Sequence, residues 1–200
     1  MPPSYMPPLF MRVRELLRAV QRVWNPPPFG TWQDGDVLIV CDPIEAYRSL
    51  FAPVTLRTVR TAVCTARDAG VPVVVTRWVR DTATDLDAVD AKGHWSYYVP
   101  RGQSRVLPDA LAGGVPDTLA DVVHPNAFSN TGVREVTAKA RRVVLAGTWT
   151  ESCVIQTARG ALEHNLHVSV LADACVGHVG VAWWALLQIQ LLLGEVVAFV

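Results

Sequence analysis

Two residues stand where a fold could put them to chemical use. Cys153 follows the run Val143 to Ser152, VVLAGTWTES, in which β-branched residues lead to Gly147 and a short polar turn precedes a helical pattern. A buried strand that delivers the chain to a sharp turn, with a helix starting beyond it, aims free amides at a sulfur and favours its thiolate. Thr150 reads as the N-cap of that helix, with Cys153 at its third position. Taken alone, an unpaired cysteine is more often a small buried apolar group. Asp42 ends the apolar run VLIVC. A carboxylate beyond the carboxyl end of a strand can serve as a general base when it is desolvated, and it can equally cap a turn before Pro43.

These residues need strands and helices to hold them. Val37 to Cys41 is a continuous apolar run of strand length, the mark of a strand covered on both faces. Leu56 to Ala69 reads as a helix closed by Gly70, and Pro72 to Thr76 as a second buried strand. Leu119 to Val123 and Arg142 to Ala146 read as further strands with a helix, Gly132 to Ala140, between them. A helix from Glu151 to Glu163, a strand His167 to Leu171, a helix Val181 to Leu193 and a strand Val196 to Phe199 complete the pattern. Strand and helix alternating at this pitch predict a doubly wound parallel α/β sheet. Between Arg77 and Val115 the pattern lapses into a long polar and aromatic stretch containing Trp78, His94, Trp95, Tyr97 and Tyr98, the expected wall or lid of a site.

Residues 1–36 read as an N-terminal arm, rich in proline, with one helical stretch, Met11 to Val23. Its apolar stripe would be Leu16, Leu17, Val20 and Val23. Residues 37–200 form the expected domain, and 200 residues, half of them apolar, suffice for one core. Eighteen basic and eighteen acidic residues cancel, which argues against nucleic acid or an anionic membrane as partner. The four cysteines lie far apart, with no CxxC pair, and read as reduced thiols. No signal peptide and no membrane span is evident, so the expectation is a soluble cytoplasmic protein. Trp183, Trp184, Leu187 and Leu191 suit a face buried in the core or at a subunit contact, and with the arm they suggest a homo-oligomer.

The run AGTWTESCVIQTA resembles the G-x-x-T-x-x-C-V segment of the isochorismatase-like, or cysteine hydrolase, superfamily. VLIVCD resembles that family's first strand and its Asp, NAFSNT its S-A-F-x-x-T, and VLADAC its later V-x-x-D-A. The four occur in the family's order, from Val37 onward, and the arm with SYMPP and Trp24 resembles the N-terminal extension of isochorismatases. The resemblance implies a single three-layer α/β/α domain, a Rossmann-like six-stranded parallel sheet. It implies that Asp42 takes the thiol proton, that Cys153 attacks a carbonyl or nitrile-like carbon, and that the amides of Trp149 and Cys153 hold the oxyanion. The peptide bond entering Trp149 would be cis. Trp78, Trp95 and Phe128 would line the substrate.

Three departures accompany the resemblance. The family's lysine is missing before Asn126-Ala127-Phe128; His124 is the nearest substitute, because Lys92 and Lys139 do not suit the role. The amide side chain that commonly follows the Asp is missing too, with Glu45 near its place. The D-x-H-P-x-x-H metal motif of the family's nicotinamidases is absent, so neither metal nor other cofactor is expected. The leading expectation is hydrolysis of an amide or related C–N bond in a small polar molecule through Cys153. The alternatives are vinyl-ether hydrolysis through Asp42 without the cysteine, and an inactive scaffold that binds a partner.

Overall fold

The structure, a computed structural model, describes residues 13–79 and 104–199. Six parallel strands form one sheet: β1 Asp36–Cys41, β2 Val73–Trp78, β3 Thr118–Val122, β4 Arg142–Thr148, β5 His167–Val176 and β6 Glu195–Val197. Their spatial order is β3-β2-β1-β4-β5-β6, the doubly wound arrangement expected. The chain runs outward from β1 in one direction and resumes beside it at β4. The crevice where the order reverses therefore opens beyond the carboxyl ends of β1 and β4, and Asp42 and the Cys153 turn flank it.

The pattern of the residues explains the layers. β1 is buried at all six positions and β4 at all but its first, as the apolar runs require. Edge strand β3 alternates exposed and buried residues. Helix α2, Pro53–Asp68, starts on a proline, whose missing N–H costs nothing at a first turn, and ends before Gly70 at φ +71°. Helix α3, Thr131–Thr137, is capped by the Asn130 side chain, which accepts from the N–H groups of Gly132 and Val133. Helix α4, Ile155–Glu163, follows the Cys153 turn, and α5, Val181–Gln188, runs on into a π-helical turn, Ile189–Leu193.

The expected N-terminal helix is α1, Val13–Trp24, which packs on α5 and β6. Of the expected stripe, Val23 is buried and Val20 packs partly buried against the core. Ala19 is buried too, while Leu16 and Leu17 are exposed. Strand β5 runs past the expected Leu171 to Val176. Leu145 pairs with Val170 and Gly147 with Cys175, so two steps on β4 face five on β5. The extra residues bulge out of the ladder, and the strand resumes to bring Val176 beside Thr148.

Candidate active site

Asp42 leaves β1 in the left-handed region, φ +46°, a conformation uncommon outside glycine in which Asp is among the residues best tolerated. Its side chain is fully buried. The Thr76 hydroxyl donates to its Oδ1 at 2.8 Å, and the Asp42 N–H donates to the same hydroxyl oxygen at 3.2 Å. Burial raises the carboxyl from its ordinary range to about 6, and bonds from the Cys153 thiol, Thr76 and the Trp78 N–H moderate the rise. The carboxylate and the thiol of Cys153 thus meet, one from each side of the crevice.

Cys153 is buried in a π-helical turn, Thr150–Val154, that continues into α4. Burial first, then the negative charge of Asp42, pushes its thiol well up, and the Trp149 N–H at the sulfur works the other way. Thr150 does not cap the helix as expected. Its hydroxyl donates to the Val176 carbonyl at 2.9 Å, so it ties the turn to the resumed end of β5, and Trp149 takes the cap position without a side-chain bond. The Thr148–Trp149 peptide bond is cis. Gly147, at φ +108°, lets β4 pass β1 closely, since a Cβ there would collide with the Cys41 carbonyl.

One turn beyond Cys153 on the same face of the helix, Thr157 locks the site from below. Its hydroxyl accepts from the Ala127 N–H at 3.1 Å, donates to the Pro125 carbonyl at 3.3 Å and lies 4.0 Å from the Cys41 sulfur. The segment after β3 is thereby fastened to α4.

The remaining residues expected in the site divide. Trp78 is buried at the end of β2, its backbone at Asp42 and its indole Nε1 without a hydrogen-bond partner. Phe128 is buried too, but its ring stacks on His164 at 5.0 Å, just past the C-terminus of α4 and eleven residues beyond Cys153. The structure does not bring Phe128 to the Asp42–Cys153 pair, because the Asn126 turn and the Thr157 bonds aim it down the helix. His124 is exposed in the bend after β3, and no described hydrogen bond or ion pair joins it to Asp42 or Cys153. Lys139 is exposed after α3, close before β4 and so at the opposite end of the sheet. Glu45 is engaged by Arg48 at 2.8 Å and by Arg105 at 3.3 Å. Trp95 and Lys92 lie outside the described residues.

A cluster beside the site joins His178 to the Cys153 turn. Glu151 Oε1 accepts from the His178 N–H at 2.9 Å and lies 2.7 Å from its Nδ1, and the His178 ring stacks on Trp149 at 4.6 Å and 21°. Tyr47, in the 3₁₀ turn Glu45–Leu50, meets the same indole edge-on at 5.6 Å. The sequence signal was present in a histidine directly after the resumed strand, but only the bulge in β5 sets it opposite the turn.

Among the described residues, buried polar side-chain atoms without a hydrogen-bond partner include Asp42 Oδ2, Trp78 Nε1, Thr148 Oγ1, Glu151 Oε2 and Trp183 Nε1. All lie at strand carboxyl ends or in segments packed on them. Such groups are expensive in a core and are expected where a ligand or water completes them. Among the described residues, no group of three or more His, Cys, Asp or Glu side chains is placed to hold a metal ion. No helix among them is long and apolar enough to cross a membrane.

A buried acid beside a buried thiol at the switch point of a doubly wound parallel sheet is an arrangement able to support acid–base and nucleophilic chemistry. Solved structures share the fold. A cysteine hydrolase from Pseudomonas syringae pv. phaseolicola is 22% identical at TM-score 0.68, over 87% of this chain and 93% of that one. An N-carbamoylsarcosine amidase from Thermoplasma acidophilum is 20% identical at TM-score 0.67, over 82% and 95%. A pyrazinamidase/nicotinamidase from Streptococcus mutans is 21% identical at TM-score 0.67, over 81% and 99%. No curated protein matches the sequence. The model of the Isochorismatase domain matches residues 36–189, and the chain belongs to that family.

Proposed function

We propose that this isochorismatase-family hydrolase cleaves an amide or related C–N bond in a small polar molecule, with Cys153 as nucleophile and Asp42 as general base. The observation that carries the reading is the buried Asp42 carboxylate against the Cys153 thiol, at about 6 and so ionised at neutral pH, yet basic enough to hold a proton. The thiol proton passes to Asp42, and the sulfur attacks the carbonyl carbon. The N–H groups of Trp149 and Cys153 receive the oxyanion. Asp42 returns the proton to the leaving nitrogen as the C–N bond breaks, leaving a thioester. Water, giving its proton to Asp42, then cleaves the C–S bond, releasing the acid and restoring the thiol. Trp78, with its unpartnered indole N–H, supplies a donor at the substrate.

Two relatives of the same fold are named for amidase activities, which makes nicotinamide and N-carbamoylsarcosine sensible members of a panel of small amides. Ammonia release from the panel is the measurement. The expected result is a substrate whose turnover falls by roughly a thousandfold or more in both Cys153→Ala and Asp42→Asn. Turnover that survives in Cys153→Ala and disappears in Asp42→Asn would reject the nucleophile and leave acid catalysis by Asp42, as vinyl-ether cleavage of isochorismate requires.

A further inference from the structure

A carboxylate offers two oxygens to a proton, and fixing which of them receives it is part of orienting the transfer. At Asp42 the two are treated differently. Oδ1 accepts from the Thr76 hydroxyl at 2.8 Å, while Oδ2 is buried without a hydrogen-bond partner. The Thr76 oxygen is itself held, because the Asp42 N–H donates to it at 3.2 Å. A hydroxyl has one proton to give, so this N–H occupies its acceptor side and leaves that proton for Oδ1. Val40 on β1 pairs with Val75 on β2, which brings Thr76 level with Cys41, one residue short of Asp42. Thr76 is only 2% exposed, so bulk solvent does not compete for the bond.

Among the described residues, no charged side chain is paired with Asp42. The titratable groups facing it are the Cys153 thiol, from the π-helical turn, and the Cys41 thiol, from its own strand, and burial pushes both well up. The Cys175 thiol, on β5, acts on Cys41 and not on Asp42, and β4 ends in Gly147 and Thr148, neither of them titratable. Arg77, the next residue on β2, is turned to Asp121 at 2.6 Å. The groups that steady the carboxylate are therefore hydrogen-bond donors: the Cys153 thiol, the Thr76 hydroxyl and the Trp78 N–H. The first carries the reacting proton and the last belongs to the backbone. We propose that Thr76 is the positioning residue of this site, whose hydroxyl holds Oδ1 of Asp42 and leaves Oδ2 as the oxygen that exchanges the proton with Cys153. By binding the ionised form, the hydroxyl also lowers the proton affinity of Asp42 and so sets the pH above which the pair reacts. The inference rests on the reading of Asp42 as general base and Cys153 as nucleophile.

The probe is iodoacetamide, and the readout is its rate constant at Cys153 between pH 5 and pH 8, followed by peptide mass spectrometry with Cys64 on α2 as internal reference. In the parent chain the rate is expected to rise through a midpoint near the Asp42 value of about 6. Thr76→Val removes a bond that only the ionised carboxylate fully uses, and is expected to move this midpoint up by about one pH unit. Labelling then slows about tenfold at pH 5 and changes less than about twofold at pH 8. Thr76→Ser keeps the hydroxyl and is expected to restore the parent midpoint. Thr76→Ala carries the same prediction as the valine variant if that chain does not fold. A midpoint unmoved by loss of the hydroxyl overturns the proposal, as does a slowing that is equal at every pH and shared by Thr76→Ser, the mark of a packing role alone. Cys153 left unlabelled, or a midpoint that persists in Asp42→Asn, rejects the reading of the acid–thiol pair and this inference with it. A midpoint abolished by Asp42→Asn but indifferent to Thr76 rejects the inference alone.

Discussion

Asp42 shows how a side chain proposed as the general base also carries a stability cost. Its carboxyl is raised by burial to about 6, so the folded chain binds that proton more tightly than the unfolded chain does. The stability tied to this proton is fully present below about pH 4 and is lost as pH rises through about 6. At pH 8 the folded protein carries a buried charge costing about 3 kcal/mol. Asp42→Asn keeps an acceptor for the Thr76 hydroxyl and removes the charge. It is expected to raise the unfolding free energy at pH 8 by up to about 3 kcal/mol while leaving it unchanged near pH 4. Urea unfolding at the two pH values measures this, and equal stability of both chains at pH 8 would mean that Asp42 is not held as a buried charge. Asp42 and Cys153 were legible in the sequence because each directly follows or soon follows an unbroken apolar run. The bond from Thr76 and the stack of His178 on Trp149 were not, since they join residues 34 and 29 positions apart with no periodic pattern to mark them.

The element that sets the geometry is β4 with the turn that leaves it. Gly147 pairs with Cys41 on one side and Cys175 on the other, at the level where β1 delivers Asp42. Its φ of +108° and the nearness of the Cys41 carbonyl leave no room for a side chain. Gly147→Ala is therefore expected to cost about 3 kcal/mol, roughly 10 °C in Tm, by forcing β1 and β4 apart or the turn into another conformation. Thermal unfolding measures the loss, and the same variant should show slower alkylation of Cys153 because the Trp149 N–H moves with the turn. A Tm within 2 °C or so of the parent would show that the strand ends are not packed as described. The strands and most helices of this region follow from hydrophobic runs and their breaks. The π-helical turn at Thr150–Val154 and the bulge in β5 do not, because both depend on cross-strand register, and a change of register leaves the apolar composition of each strand intact. Without that bulge His178 would not stand opposite Glu151, so the feature hardest to read in the sequence is the one that brings the end of β5 to the turn.

Across the whole molecule, burial is greatest where the site is attached. Strands β1 and β4 lie at the centre of the sheet with Leu38, Ile39, Val40, Val144 and Leu145 fully buried, while β3 alternates and β6 has only three residues, the first exposed. Local opening requires few contacts to break at the edges and nearly all of them at the centre. The amides of Leu38–Val40 and Val143–Leu145 are thus expected to exchange with deuterium only by global unfolding, with a urea dependence equal to that of the whole chain. Those of β3 and β6 are expected to exchange through smaller openings with a weaker urea dependence. The consequence for function is that the backbone bearing Asp42 and the entry to the Cys153 turn stay fixed on the timescale of turnover, and substrate access must come from loops around them. Exchange of the β1 amides as fast as those of β3 would overturn this, since the acid and the thiol would then ride on strands that part independently of global unfolding.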